Sequence, residues 1–402
     1  MEEQDRWIET LEGEIKEWGI KCINCNFCYT ACPLFKSMEG FLINGPSGLL
    51  QSIYYALHWD FLGKEVKEEI INILYSCTTC SSCVIRCKDV SAGIPVVDLV
   101  ECGRKILVEK ALGPGTAHKE VLGFLDQSGN PYGKPAEKRL DWLKELEKEN
   151  KLTYKLLPDD DQAETLLYIG CTASYEEDLQ NVARSIVLLL EKLKADYGIL
   201  KEENCCGSPA RQLGEEGLFM ELSEKTYEAA LKSGVKQVVT VSPHCYNSFK
   251  TEYPESFQKL EVQHYTEYFF NQIEKGALTP SKKIEKAITF HDPCYLGKRN
   301  EVYDAPRAII SKIPGVKLVE MKDNKVDSLC CGGGGGRMYV EVDEVTRLSH
   351  LRLEQALATG TEIIATACPW CYTQMKDAIK ATDQEDRIEV KDISELLLMS
   401  VS

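Results

Sequence analysis

No stretch of this 402-residue chain stays apolar for the about 18 residues that a membrane-crossing helix needs. Basic charge is also short, with 47 Lys and Arg against 63 Asp and Glu and a formal net charge of −16. That balance argues against a nucleic-acid partner, because phosphate contacts need clustered Lys and Arg. It also disfavours docking on an anionic lipid surface. The opening residues, MEEQDRWIETLEGEIKEWG, lack the basic start and apolar centre of a secretory signal. The expected location is therefore cytoplasmic, with any membrane association supplied by a partner subunit. No Ser-His-Asp set and no paired-carboxylate motif stands out, so nucleophilic and carbon-acid chemistry lack their machinery. No flavin or nicotinamide fingerprint is evident either: GGGGGR follows paired cysteines rather than a first Rossmann strand.

Cysteine is what the chain has in excess, with 18 residues. They fall in tight Cys-x-x-Cys groups, which suit wrapping a metal cluster better than bridging distant loops. Without a secretory signal a disulfide scaffold is a weak reading.

Cys22, Cys25, Cys28 and Cys32 form C-x2-C-x2-C-x3-C followed by Pro33, and Cys77, Cys80, Cys83 and Cys87 repeat the spacing without the proline. This is the bacterial two-cluster ferredoxin run, in which the fourth cysteine ligates the other cluster. The expected ligand sets are Cys22, Cys25, Cys28 and Cys87 for one [4Fe–4S] cubane, and Cys77, Cys80, Cys83 and Cys32 for a second. Structural zinc would call for cysteines in two pairs rather than a triplet plus a following fourth, twice. Between the runs lie SGLLQSIYYALHWD and GKEVKEEIINILYS, both with helical apolar spacing. The region resembles the helical ferredoxin domain of succinate dehydrogenase iron–sulfur subunits and of the C-type subunit of heterodisulfide reductase. His58 and Trp59, on the insert, read as packing rather than redox groups.

Turn residues from Gly113 to Pro135 and the charged stretch EKRLDWLKELEKEN mark 111–160 as a linker with one exposed, solvated helix. Beyond it the chain repeats itself at an offset of about 125 residues. The first copy reads TLLYIGCTASY, ENCCGSPARQLG and QVVTVSPHCYNSF; the second reads AITFHDPCYLGKRN, SLCCGGGGGRM and EIIATACPWCYTQ. Alternating strands and helices imply parallel sheets covered by helices, with cysteines at strand ends and helix starts where α/β folds form crevices. The expected class is α/β: a mainly helical ferredoxin domain (1–110), then two Rossmann-like parallel-sheet domains (161–280 and 281–402) related by a pseudo-twofold duplication.

The second copy carries Cys294, Cys330, Cys331, Cys368 and Cys371, five thiolates where a cubane needs four. Gly332 to Gly336 let the backbone approach the sulfurs without a Cβ clash, and their amides are placed to tune a cluster. The pattern resembles the CCG domain of the B- and D-type subunits of heterodisulfide reductase. The whole order resembles the D-type subunit and relatives of the DsrK type or serving flavoprotein dehydrogenases. That resemblance implies a noncubane [4Fe–4S] cluster on the five second-copy cysteines, with disulfide chemistry there. The first copy keeps Cys171, Cys205, Cys206 and Cys245, but Ser242 stands where a cysteine should. Its four thiolates are expected to hold a cubane; zinc or a metal-free site are the alternatives. His244 reads as packing or as an extra ligand. His291 is a candidate proton donor or a loop-orienting group. Lys298 and Arg299 are candidates for anion binding or an ordinary exposed basic pair, Cys102 for a buried free thiol, and His264 for a structural role.

The expected function is a redox subunit that passes electrons through two cubanes to the noncubane site, where a disulfide or related sulfur substrate is reduced or formed. The alternative is an electron relay between a flavoprotein dehydrogenase or electron-transfer flavoprotein and a quinone or cytochrome partner. Either way the electron donors bind as partner subunits: a flavoprotein, an electron-transfer flavoprotein or a cytochrome b-type membrane subunit.

Overall fold

A computed structural model describes residues 2–58, 67–159, 162–257, 259–342 and 344–401. Trp59 and the side chain of His58 lie outside the described residues. Among those described, no helix is long and apolar enough to cross a membrane.

The N-terminal region is helical, as expected, from Glu2–Lys21 through Val96–Glu109. Leu11, Ile15, Leu49, Ile53, Leu74, Val100 and Ile106 meet in its core. The segment 111–160 contains the helices Thr116–Ser128 and Asp141–Glu149. Trp142, Leu143 and Leu146 turn the apolar stripe of the second helix into the core, while its charged residues face water. Arg139, just before that helix, departs from the solvated reading: it is 1% exposed.

Two sheets follow. β1 (Lys155–Leu157), β2 (Thr165–Tyr168), β3 (Tyr197–Leu200), β4 (Gln237–Thr240) and β5 (Glu261–His264) form one. β6 (Ala287–Phe290), β7 (Lys317–Leu318), β8 (Ile363–Thr366) and β9 (Glu389–Asp392) form the other. Their orders are β1-β3-β2-β4-β5 and β7-β6-β8-β9, and these pairings are parallel. The two sheets share one topology, with β1 an added edge strand. The central β2 and β8 are buried along their whole length, as parallel strands covered on both faces must be.

The duplication is also a pseudo-twofold. The helix Glu177–Leu193, which follows the first cysteine of copy one, packs on the last helix of copy two, Ile393–Ser400. The counterpart contact joins Asp304–Lys312 of copy two to Tyr265–Glu274 of copy one. Such reciprocal contacts are what a twofold imposes. The terminal helices start alike, each on a capping box: His264 with Glu267, and Asp392 with Glu395. His264 therefore has the structural role expected of it. Tyr265 Oη donates to Asp392 Oδ1 across the interface at 2.8 Å.

The domains do not stand apart. One apolar core runs from the ferredoxin helices into copy one, and another spans both copies. The cysteines of both copies come after strands in the chain, and Cys294 and Cys330 pack against Cys80 of the ferredoxin region.

Candidate metal centres

The two Cys-x2-Cys-x2-Cys loops share a backbone. Asn24 and Asn26 in the first, and Thr79 and Ser81 in the second, all adopt left-handed φ between 51° and 65°. Asn tolerates that conformation, but Thr79 and Ser81 pay about 1–2 kcal/mol for it, so the second loop in particular is held there by a constraint. The turns bring three thiols to one side, and the following short helix carries the fourth away. Cys22, Cys25, Cys28 and Cys87 line one cavity, together with Ser47 and Ile94. Burial, with Cys22, Cys87 and Cys25 nearby, pushes the Cys28 thiol up to about 11. Cys32 lies instead among the other group: burial raises its pKa, and Cys80 and Cys77 add to the rise. Cys83 is raised in the same way, by burial and then by Cys32, Cys77 and Cys80. Cys25 is exposed, whereas Cys80, Cys83, Cys87 and Cys32 are buried.

The second loop abuts copy two. Cys80, Cys294, Tyr295 and Cys330 form one buried group, and the thiol of Cys80 reaches Cys330. Thr79 Oγ1 bonds Tyr295 Oη at 3.0 Å. Lys298 donates to Ser82 Oγ, which lies 3.4 Å from Cys80 Sγ. Arg299 donates to Thr79 O and pairs with Glu101 at 3.2 Å and Glu252 at 3.6 Å. Lys298, buried, and Arg299, largely buried, are therefore ties between domains, not an exposed anion site; the missed signal was that both follow directly on the loop of Cys294.

In copy two, Cys331 Sγ lies 3.4 Å from Cys371 Sγ, and Cys330 bonds Cys294. Cys368 and Cys371 open the helix Pro369–Ala381, whose proline fits its first turn. The neighbouring Cys330 and Cys371 side chains hold the Cys331 pKa well below the usual thiol range. His291 shares a compact group with the Cys331 and Cys371 sulfurs, and its Nε2 has no hydrogen-bond partner. Arg352 Nε donates to His291 Nδ1 at 3.0 Å, which puts the ring proton on Nε2. Burial, with Arg352 alongside, keeps the imidazole neutral by lowering its pKa well below the usual value.

The glycine run divides its work. Gly332 N–H points at Cys330 Sγ at 3.4 Å, and Gly333 bonds Cys331. These two serve the sulfurs as expected. Gly334 and Gly335 instead press against the ferredoxin loop, where a Cβ would collide with the carbonyls of Thr78 and Cys77. Gly335 has φ +68° and donates its N–H to Gln212 Oε1 at 2.7 Å.

In copy one, Cys171, Cys205, Cys206 and Cys245 converge on one buried cavity with Ser242, His244, Tyr339 and Trp370. Ser242 Oγ accepts from His244 N–H at 3.3 Å and caps the short helix Pro243–Asn247. His244 stacks between Tyr295 and Trp370, each 3.9 Å from its ring centroid. Trp370 Nε1 donates to Thr172 Oγ1 at 3.1 Å. The pseudo-twofold accounts for this: in each copy the residue after the first cysteine meets the residue inside the final motif of the other. Arg139 and Tyr339 also border the site, and neither carries a motif that sequence reading would notice. Cys102 stands apart from every group, buried, with its thiol donating to Glu14 at 3.5 Å.

Thiol sets of this kind, free of disulfides and mostly buried, fit iron–sulfur clusters. Residues 19–90 match the family model of a 4Fe–4S dicluster domain, and residues 165–250 and 288–376 match that of the cysteine-rich CCG domain. The D-type subunit of dihydromethanophenazine:CoB–CoM heterodisulfide reductase from Methanosarcina barkeri is 32% identical over 397 residues, 94% of this chain and 92% of that protein. The chain belongs to the family of heterodisulfide reductase D-type subunits. Two other similar proteins are the probable iron–sulfur-binding oxidoreductase FadF of Bacillus subtilis (37% over 354 residues, 85% of this chain) and EtfAB:quinone oxidoreductase of Syntrophomonas wolfei (33% over 416 residues, 94% of this chain). The chain spans about half the length of these two, 48% and 57% respectively. The family thus joins iron–sulfur oxidoreductases and members of redox complexes, and iron–sulfur is its cofactor class.

Proposed function

We propose that this protein carries electrons from the N-terminal cluster pair to the copy-two site and that a disulfide or related sulfur substrate is reduced or formed there. Cys22, Cys25, Cys28 and Cys87 would hold one cubane, and Cys77, Cys80, Cys83 and Cys32 the other. Cys294, Cys330, Cys331, Cys368 and Cys371 would hold a noncubane [4Fe–4S] cluster, and Cys171, Cys205, Cys206 and Cys245 a further cubane. The bound clusters supply one-electron redox chemistry. The observation that carries the reading is the packing of Cys80 against Cys330, which leads from the N-terminal pair, whose Cys25 thiol is exposed, to a fully buried five-thiol site.

The protein's own part is arrangement. Gly332 and Gly333 direct amides at two sulfurs, and Arg352 fixes the tautomer that makes His291 Nε2 a donor. Cleaving a disulfide to two thiols takes two electrons, supplied by a partner flavoprotein, and two protons. His291 is the group placed to deliver one of them. A sulfur substrate should therefore reoxidise the dithionite-reduced chain, and the visible absorbance of the clusters follows this directly.

A second reading is an electron relay between a flavoprotein or electron-transfer flavoprotein and a quinone or cytochrome partner. Ser242 favours it by removing one thiolate from copy one. Reduced chain that ignores every disulfide offered, yet passes electrons to a quinone-linked partner, would select it.

The crossed ligand sets make a separate prediction. Cys32→Ala should damage the cluster of Cys77, Cys80 and Cys83 and leave that of Cys22, Cys25 and Cys28 largely intact. Electron paramagnetic resonance of both reduced clusters checks it; loss of only the Cys22 cluster would reverse the assignment.

A further inference from the structure

The copy-one site contains two buried side chains, Arg139 and Tyr339, with polar atoms that no hydrogen bond satisfies, and the Arg139 guanidinium lies against the Cys171 thiol and Tyr175. Arg139 is 1% exposed and comes from the segment before the repeat. One of its nitrogens, Nη2, is engaged by Glu203. Glu203 is itself anchored by the N–H groups of Ile169 at 3.1 Å and Gly170 at 2.9 Å, so it is held in place just before Cys171. Arg139 Nε and Nη1 have no partner. The guanidinium sits over the ring of Tyr175 at 5.7 Å and within reach of Cys171. Tyr339 enters the same cavity from copy two, and its hydroxyl is likewise buried and unpartnered. Buried donors are almost always satisfied, and a guanidinium above all. Two that converge from different parts of the chain on four thiols need an acceptor-rich, negatively charged occupant.

Building on the cubane reading of this site, we propose that Arg139 and Tyr339 are positioning residues that donate hydrogen bonds to the copy-one cluster and raise its reduction potential. Reduction adds one negative charge. Glu203 balances the charge of the guanidinium, so the bias comes from the donors: hydrogen bonds to the cluster favour the more negative state, and the centre becomes easier to reduce. Copy one thereby acts as the electron-accepting side of the pair, which the aromatic stack of His244, Tyr295 and Trp370 joins to copy two.

The test uses the full chain, prepared anaerobically with its clusters. Iron and acid-labile sulfide are counted, and each cluster is titrated by electron paramagnetic resonance. The copy-one signal is the one that Cys245→Ala removes. Arg139→Gln should lower the midpoint of that signal alone, by about 59 mV for a tenfold change in a one-electron equilibrium. Arg139→Lys should recover part of the shift. Tyr339→Phe, which removes one hydroxyl and keeps the ring, should shift it the same way by less, and it carries the test if Arg139→Gln does not fold. Unchanged midpoints in Arg139→Gln and Tyr339→Phe, with the signal present, overturn the proposal while the cubane reading stands. If Cys245→Ala costs neither iron nor any signal, the cubane reading fails first and takes the proposal with it.

Discussion

Cys331→Ala should reduce turnover of a disulfide substrate to background while the two N-terminal clusters remain reducible. Cys331 sits at the centre of its site. It meets the thiol of Cys371 at 3.4 Å, neighbours Cys330, and is the sulfur served by the Gly333 amide. The His291 ring lies in one compact group with the same two sulfurs. Removing this thiol leaves Cys294, Cys330, Cys368 and Cys371, which still number four but have lost the member that links the two pairs. About four irons should be lost per chain, the content of one cluster. The N-terminal sites share no ligand with Cys331, so their spectra and potentials should hold. Cys102→Ala is the matched control, since its thiol bonds Glu14, away from every cluster group, and should change neither iron nor turnover. Turnover at the parent rate in Cys331→Ala would remove copy two from the chemistry. If the intact protein shows only cubane signals in every oxidation state, the relay reading takes its place.

Arg104→Ala should be among the most destabilising single substitutions in the chain. The guanidinium is fully buried and donates to four carbonyls: Leu74 at 2.7 Å, Cys77 at 2.8 Å, Gln212 at 2.6 Å and Gly335 at 3.1 Å. Those acceptors belong to the ferredoxin region, copy one and copy two, so one side chain joins all three. Hydrogen bonds from a charged donor are worth about 1.5–3 kcal/mol each, and buried acceptors left unpaired add to the cost. Water entering the vacated space recovers part, which leaves a loss on the order of 4 kcal/mol. Anaerobic urea unfolding followed by the visible absorbance of the clusters measures it. Arg104→Lys should be intermediate, because a single ammonium cannot reach all four carbonyls. A midpoint indistinguishable from the parent would mean that the three regions dock without this tie.

The cysteine groups, the internal repeat and the α/β class were all legible in the chain itself. Each is a local matter: ligand spacing is set by the reach of a few residues of backbone, and strand and helix patterns by periods of two and 3.6. Even Ser242 could be flagged as a departure, because its partner copy supplied the comparison. What could not be read was which surfaces meet. Gly334 and Gly335 looked like cluster glycines and turned out to seat the Cys77–Thr78 backbone. Lys298 and Arg299 looked like a surface pair and became cross-domain ties. Arg139 looked like one more charge on a solvated helix and is buried at the copy-one site. These outcomes depend on contacts between residues far apart in sequence, where a charge or a glycine has the same letter whether water, a carbonyl or a cluster lies against it. Local spacing alone tells which thiols are close in the chain and how they are grouped. Only the tertiary packing decided that Cys80 meets Cys330, and that two donors outside every motif converge on the thiols of the first copy.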